Sequence, residues 1–143
     1  MNIKKITNTV LQFSINRMIE IFGTFVAIIG ILLLIALVSY SPNDPNFIFP
    51  QNTRISNVLG FQGSYISDLF LQSIGIISYV LSVTLVITGI NVFRVKDLFL
   101  IIENIFYSIL YCIFGSLFFD YFYQDTFELY INGNGGFVGQ YLS

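Results

Sequence analysis

Three long apolar runs dominate this sequence and decide what it can fold into. They extend from Ile21 to Val38, from Leu69 to Phe93 and from Leu98 to Phe119. A helix of about 18 to 25 residues crosses, or nearly crosses, a hydrocarbon core that is roughly 30 Å thick. Because 55% of all residues are hydrophobic and only 10% are charged, a water-soluble fold is not expected. The sequence therefore predicts an all-α integral membrane protein, a helical bundle with three complete transmembrane helices.

The basic residues near the runs predict an orientation. Three of them precede the first run, one lies between the first and second runs, two separate the second from the third, and none follows the third. They are Lys4, Lys5, Arg17, Arg54, Arg94 and Lys96. Segments rich in Lys and Arg stay in the cytoplasm. We therefore expect a cytoplasmic N-terminus, a cytoplasmic 94–97 connector and a 41–68 loop on the opposite side of the membrane.

The usual signatures of enzymes and metal sites are absent from the sequence. It has no His and a single cysteine, Cys112, inside an apolar run, so neither a disulfide framework nor a typical zinc site is expected. It also lacks the G-x-x-x-x-G-K-[ST] loop that binds nucleotide phosphates. With a net charge of −2, it presents no basic face for DNA phosphates. We predict no catalytic residue, no cofactor and no direct contact with nucleic acid.

Glu103 is the acidic residue that lies within the third run. An acidic residue inside the membrane is a candidate for ion or proton handling, which leaves open an alternative function as a small stand-alone transporter or channel subunit. Glu103 lies only five residues after Leu98, so we favour a position near the membrane surface. The alternative requires Glu103 to face the interior of the protein.

Small residues recur at helical spacing in the first two runs. Such faces let helix backbones approach closely in lipid, either within one chain or between subunits. The residues predicted to pack in this way are Gly23, Ala27 and Gly30 in the first run and Gly75, Ser78 and Ser82 in the second.

Three short elements lie outside or between the runs. Residues 39–45 read Ser-Tyr-Ser-Pro-Asn-Asp-Pro, residues 57–64 read Asn-Val-Leu-Gly-Phe-Gln-Gly-Ser and precede Asp68, and residues 135–139 read Gly-Gly-Phe-Val-Gly. The positions that define these elements are Ser39, Tyr40, Pro42, Asp44, Pro45, Asn57, Gly60, Gly63, Asp68, Gly135, Gly136 and Gly139.

The residue types in the first two elements suit a compact turn outside the bilayer. Pro42 and Pro45 have no amide proton and end helical pairing. The side chain of Asp44 can bond backbone groups of its own turn. Gly60 and Gly63 permit positive φ angles or a close approach of two backbone segments.

In their order and position, the three elements resemble those of one family. They are similar to the S-Y-x-P-x-D-P, N-x-x-G-x-x-G-[AS] and G-G-x-x-G elements in the N-terminal membrane region of bacterial FtsK/SpoIIIE-type DNA translocases. The resemblance covers nearly the whole chain. Ser64 stands where Ala is frequent in the family, and the sequence has no Trp.

The resemblance implies a domain organisation. Residues 1–143 correspond to a four-helix (4TM) membrane-anchor domain with spans at about 21–38, 69–93 and 98–119. The fourth helix begins near Gly136 and is truncated, and the motor domain of the family is absent.

The resemblance also implies a function and partners. In the family this region is an inner-membrane anchor at the division septum, where it contacts division proteins while a separate motor moves DNA. We therefore expect a multi-pass protein of the bacterial inner membrane with a periplasmic 41–68 loop. The expected partners are the lipid bilayer and division-site membrane proteins, and homo-oligomerisation stays open.

Overall fold

The computed structural model describes residues 3–46, 54–123 and 132–143, with side chains from Thr7 onward. The described residues form five helices: α1 (Ile3–Val38), α2 (Gly60–Ile74), α3 (Ile77–Val95), α4 (Phe99–Phe122) and α5 (Gly136–Leu142). Three segments are long and apolar enough to cross a membrane, namely Thr7–Val38, Ile77–Val95 and Phe99–Phe122. The predicted all-α membrane fold is confirmed.

The predicted second span is divided in the structure. Gly75 has φ +66° and ψ −146°, a conformation that is essentially restricted to glycine and that a helix cannot pass through. The apolar run from Leu69 to Phe93 therefore belongs to two helices, and only α3 is long enough to span. The predicted start of this span at Leu69 is wrong, because hydropathy does not register a backbone break. The predicted 41–68 loop likewise contains the first half of α2.

Helices α1 and α3 form an antiparallel pair with a very close contact. A Cβ atom added at Gly23 would lie 2.7 Å from the amide nitrogen of Phe93, and one added at Gly89 would lie 2.6 Å from the carbonyl oxygen of Gly23. A Cβ atom at Gly30 would lie 2.7 Å from the amide nitrogen of Val86. Gly23 and Ala27 of α1 thus meet Gly89 of α3, and Gly30 meets Val86. The two backbones touch where larger side chains would separate them.

Polar contacts fix both ends of the α1–α3 pair. At the end where α1 stops and α3 begins, called the motif end below, Tyr79 donates a hydrogen bond to the carbonyl of Leu37 (2.9 Å). At the other end, called the connector end, Glu20 forms ion pairs with Arg17 (2.5 Å) and Lys96 (2.8 Å). These contacts set the register of the two helices along their shared axis.

Helix α4 returns from the connector end to the motif end beside α3. Asp97 accepts a hydrogen bond from the amide of Phe99 (2.8 Å) and so caps the start of α4. Asn104 donates to the hydroxyl of Thr88 (3.0 Å), which joins the two helices near the connector end.

We predict that Gly89→Ala destabilises the bundle. The new methyl group would meet the backbone of α1 and force the helices apart, at a cost of about 1–3 kcal/mol, the usual range for overpacking. The free energy of unfolding in detergent measures this effect. Ile90→Ala is the control, because Ile90 is exposed. Equal losses for the two variants would show that the close contact contributes nothing specific.

Candidate functional site

The candidate functional site is a set of hydrogen bonds at the motif end. It begins with the turn after α1, where the amide of Asp44 donates to the carbonyl of Ser41 (3.1 Å). The Asp44 carboxylate accepts hydrogen bonds from the amides of Ser56 and Asn57, both at 2.8 Å. The turn is therefore present as predicted, but the side chain of Asp44 bonds backbone groups 12 and 13 residues away rather than groups of its own turn. It ties the two ends of the loop together.

Asn57 carries the contact from the loop to α1. Its side-chain nitrogen donates to the carbonyls of Ala36 (2.9 Å) and Ser39 (3.3 Å), and its side-chain oxygen accepts from the amide of Leu59 (3.0 Å). The last carbonyl groups of a helix have no partner within the helix. Asn57 satisfies one such group, that of Ala36, as well as the carbonyl of Ser39 just after the helix, and its bond to the amide of Leu59 directs the chain into α2.

The start of α2 is shaped to fit around Asn57. Gly60 has φ +66°, as the sequence predicts. Gly63 lies within α2, where a Cβ atom would overlap the side chain of Asn57. Ser64 follows and donates a hydrogen bond to the carbonyl of Pro45 (2.7 Å). Gly63 thus allows close approach, and Ser64 fixes α2 to the first motif element.

Two tyrosines complete this arrangement, which we call the motif junction. Tyr40 donates to the carboxylate of Asp68 on α2 (3.2 Å), and Tyr79 on α3 donates to the carbonyl of Leu37 on α1 (2.9 Å). Asp68 is buried, and the side-chain amide of Gln72 also donates to its carboxylate (3.5 Å). The residues of the motif junction are Ser39, Tyr40, Asp44, Pro45, Asn57, Gly60, Gly63, Ser64, Asp68 and Tyr79.

A second junction forms where α2 and α3 meet α5. The amide of Ile76 donates to the carbonyl of Asn134 (3.0 Å), and a Cβ atom at Gly75 would overlap that carbonyl. Gly136, with φ +64°, lies so close that its Cβ atom would be 2.8 Å from the amide nitrogen of Ile74. We call this the glycine junction.

Helix α4 forms the other wall of the glycine junction. Ser116 donates a hydrogen bond to the carbonyl of Ile74 (2.9 Å). A Cβ atom at Gly139 would lie 2.7 Å from the carbonyl oxygen of Ser116, and one at Gly135 would lie 2.6 Å from the Cβ atom of Asp120. The G-G-x-x-G element therefore lets α5 begin against α4 without a side chain between them.

The structure separates the sequence-selected residues by location. Of the nine motif positions between Ser39 and Asp68, eight participate in the motif junction, and Pro42 lies in the turn between α1 and Asp44. Gly75 belongs to the glycine junction, whereas Ser78 and Ser82 are buried on α3 and donate to the carbonyls of Gly75 and Tyr79, both at 2.7 Å. The roles of Gly89, Ser116 and Asn134 could not be predicted from the sequence, because their partners are distant in sequence.

The residues of the two junctions bond helix ends to one another. Among residues 3–46, 54–123 and 132–143, no group of three or more acidic, Cys or His residues could hold a metal ion. Glu103 is exposed on α4, so it does not meet the condition that the transporter hypothesis requires. Cys112 is buried and not in a disulfide. What the two junctions do is hold helix ends in fixed relative positions.

Comparison with known proteins gives one family. The family model for the 4TM region of DNA translocase FtsK/SpoIIIE matches residues 16–143, which include both junctions. No solved structure matches the chain.

Several curated relatives carry the same description. The chain is 32% identical over 69 residues to the DNA translocase FtsK of Caulobacter vibrioides, covering 48% of this chain and 8% of the relative. It is 32% identical over 82 residues to that of Rickettsia prowazekii (55% and 11%) and 30% identical over 79 residues to that of Azospirillum brasilense (54% and 12%). The aligned part is thus about a tenth of the length of these relatives.

We predict that Gly75→Ala destabilises the protein more than Gly60→Ala does. Both glycines have φ +66°, so an alanine is strained at either position, and Gly75, with ψ −146°, also lies in a region that only glycine occupies readily. A Cβ atom at Gly60 meets no described atom within 4 Å, whereas one at Gly75 overlaps the carbonyl of Asn134. Gly75→Ala must therefore also displace α5.

Unfolding in detergent, followed by circular dichroism, measures both variants of this matched pair. Gly75→Ala should lose clearly more stability than Gly60→Ala. Equal losses would mean that the glycine junction is too pliable to hold α5 in place.

Proposed function

The chain belongs to the family of the 4TM region of DNA translocase FtsK/SpoIIIE, and from this membership we propose that it tethers a DNA translocase at the site of cell division. The family and the three apolar helices make it a multi-pass protein of the inner membrane, and its role fits that of a membrane anchor. Targeting to the septum, and the coordination of division with chromosome segregation, are the proposed part. The motor that moves DNA lies outside this chain in our proposal.

The observation that supports this proposal most directly is the family match over residues 16–143. That segment contains the whole of both junctions, and the junctions bind helix ends to each other rather than presenting groups for catalysis. A rigid bundle with fixed ends is what an anchor requires, because force on an attached motor must reach the bilayer without separating the helices. We propose that the chain itself has no enzymatic activity.

We further propose the orientation with the connector end in the cytoplasm. Among the described side chains, Arg17, Arg94 and Lys96 belong to α1 or the 94–97 connector, whereas Arg54 lies on the motif side. This distribution follows the positive-inside rule. In the proposed orientation the motif junction lies in the periplasm, where division-site membrane proteins would contact the 41–68 segment.

We predict that the chain, fused at its N-terminus to a fluorescent protein, forms a band at the constriction site of dividing cells. Asp44→Asn is the informative variant, because an amide nitrogen cannot accept the second of the two amide hydrogen bonds that Asp44 receives. It should remain in the membrane but lose the band. Glu103→Gln should retain it, since Glu103 is exposed and outside both junctions.

Fluorescence microscopy of the three fusions distinguishes two levels of the proposal. An even membrane distribution of the unaltered chain would contradict septum targeting and leave the anchor role standing. A soluble, cytoplasmic signal would contradict both.

A further inference from the structure

Helix α2 has an inverted distribution of polar and apolar residues. Its buried face consists mainly of small or polar residues, and its exposed residues are mainly large and apolar. The buried residues are Gly63, Ser64, Ser67, Asp68 and Leu71, and the exposed ones include Phe61 (49% exposed), Ile66 (45%) and Leu69 (61%). A surface helix in water shows the opposite pattern. The exposed face of α2 therefore requires apolar surroundings.

The length and attachments of α2 show that it lies across the bundle. Its 15 residues make a helix about 22 Å long, too short for a hydrocarbon core of roughly 30 Å. Its start is attached to the end of α1 through Asn57 and Ala36, and its last residue, Ile74, is attached to α4 through Ser116. Neighbouring helix axes are about 8–10 Å apart, so a row of α1, α3 and α4 is about as wide as α2 is long.

Two apolar grooves lie beneath α2. One, of about 480 Å³, is bounded by α1, α2 and α3, and the other, of about 510 Å³, is bounded by α2, α3, α4 and α5. Phe70 of α2 and Leu85 of α3 line both grooves. Ile66 and Leu69 line one groove each, so the apolar face of α2 is continuous with the lipid-facing surface of the spanning helices.

We propose that α2 is an interfacial helix that binds the lipid surface at the motif end. It lies in the plane of the membrane, with Phe61, Ile66 and Leu69 among the upper acyl chains. Tyr65 lies on the same face, four residues from both Phe61 and Leu69, and its ring is 4.3 Å from that of Phe61; aromatic side chains with a polar tip are favoured at the membrane–water interface. An amphipathic helix of this kind binds through its buried apolar area. The inference depends on the chain being a membrane protein but not on its proposed role at the septum.

Lipid explains the exposed face better than a second protein chain does. The grooves open on the same surface as the exposed apolar side chains of the spanning helices, which contact the bilayer. The exposed face of α2 continues that surface. The polar side chains that line the grooves are Ser73, Ser108 and Gln62, and they form no polar boundary. A second copy or a partner helix would have to displace lipid from the same surface. Such a contact would protect the labels on α2 from lipid quenchers.

Depth-dependent fluorescence quenching tests this proposal. Cys112, the single cysteine, is changed to Ser, and one cysteine is introduced by Phe61→Cys, Ile66→Cys or Leu69→Cys. Ser56→Cys is the water reference, because the Ser56 residue is exposed although its amide bonds to Asp44, and Ile87→Cys, exposed in the middle of α3, is the deep reference. Each variant is labelled with an environment-sensitive dye in phosphatidylcholine vesicles, and a helical circular dichroism spectrum is required before labelling.

All three α2 labels should emit at shorter wavelength than the label at Ser56, and shallow nitroxide lipids should quench them more strongly than deep ones. Equal depth along α2 is the diagnostic result. Quenching that deepens from position 61 to position 69 would show an upright helix and overturn the proposal. Strong quenching by aqueous iodide would also overturn it, as would energy transfer between labelled copies with protection from lipid quenchers. Because three sites report independently, loss of one variant leaves the other two decisive.

Discussion

The arrangement of the bundle depends on the carbonyl groups at the end of α1. The last carbonyl groups of a helix have no partner within the helix, and where they are buried, protein donors satisfy them. Asn57 supplies donors to Ala36 and Ser39, and Tyr79 supplies one to Leu37. The same two side chains thereby connect α1 to the loop, to α2 and to α3. The hydrogen bonds to the carbonyl groups at the end of α1 thus fix the relative positions of α1, the loop, α2 and α3.

This explains why the motif residues occur in a set order. The Asp44 carboxylate accepts hydrogen bonds from the amides of Ser56 and Asn57. These bonds fix the backbone of Asn57, so that its side chain points toward the end of α1. Gly63 leaves the space that Asn57 occupies, and Ser64 fixes α2 to the carbonyl of Pro45. The contact made by each motif residue requires the preceding residue to be in place. An ordinary polar turn would not require these particular residues in this order. An anchor built in this way resists separation of its helices at the motif end.

The sequence was sufficient for the fold class and the family, but not for the course of the second run. Composition and run length identify spanning helices because the bilayer imposes a minimum length. They do not reveal that Gly75 takes a backbone conformation closed to helices, since glycine also occurs inside membrane helices at packing faces. The spacing of Gly23, Ala27 and Gly30 identified a packing face, yet its partner Gly89 depends on tertiary structure. Asn134 and Ser116 were missed for the same reason, because their contacts join segments about 40 to 60 residues apart.

We infer that the family motif builds a rigid junction rather than a solvated loop. Hydrogen exchange of individual backbone amides in lipid nanodiscs distinguishes the two and needs no substitution. The amides of Ser56 and Asn57 lie outside any helix but donate to the Asp44 carboxylate. We predict that they exchange as slowly as amides within α2. Exchange at the rate of an unstructured loop would contradict the account.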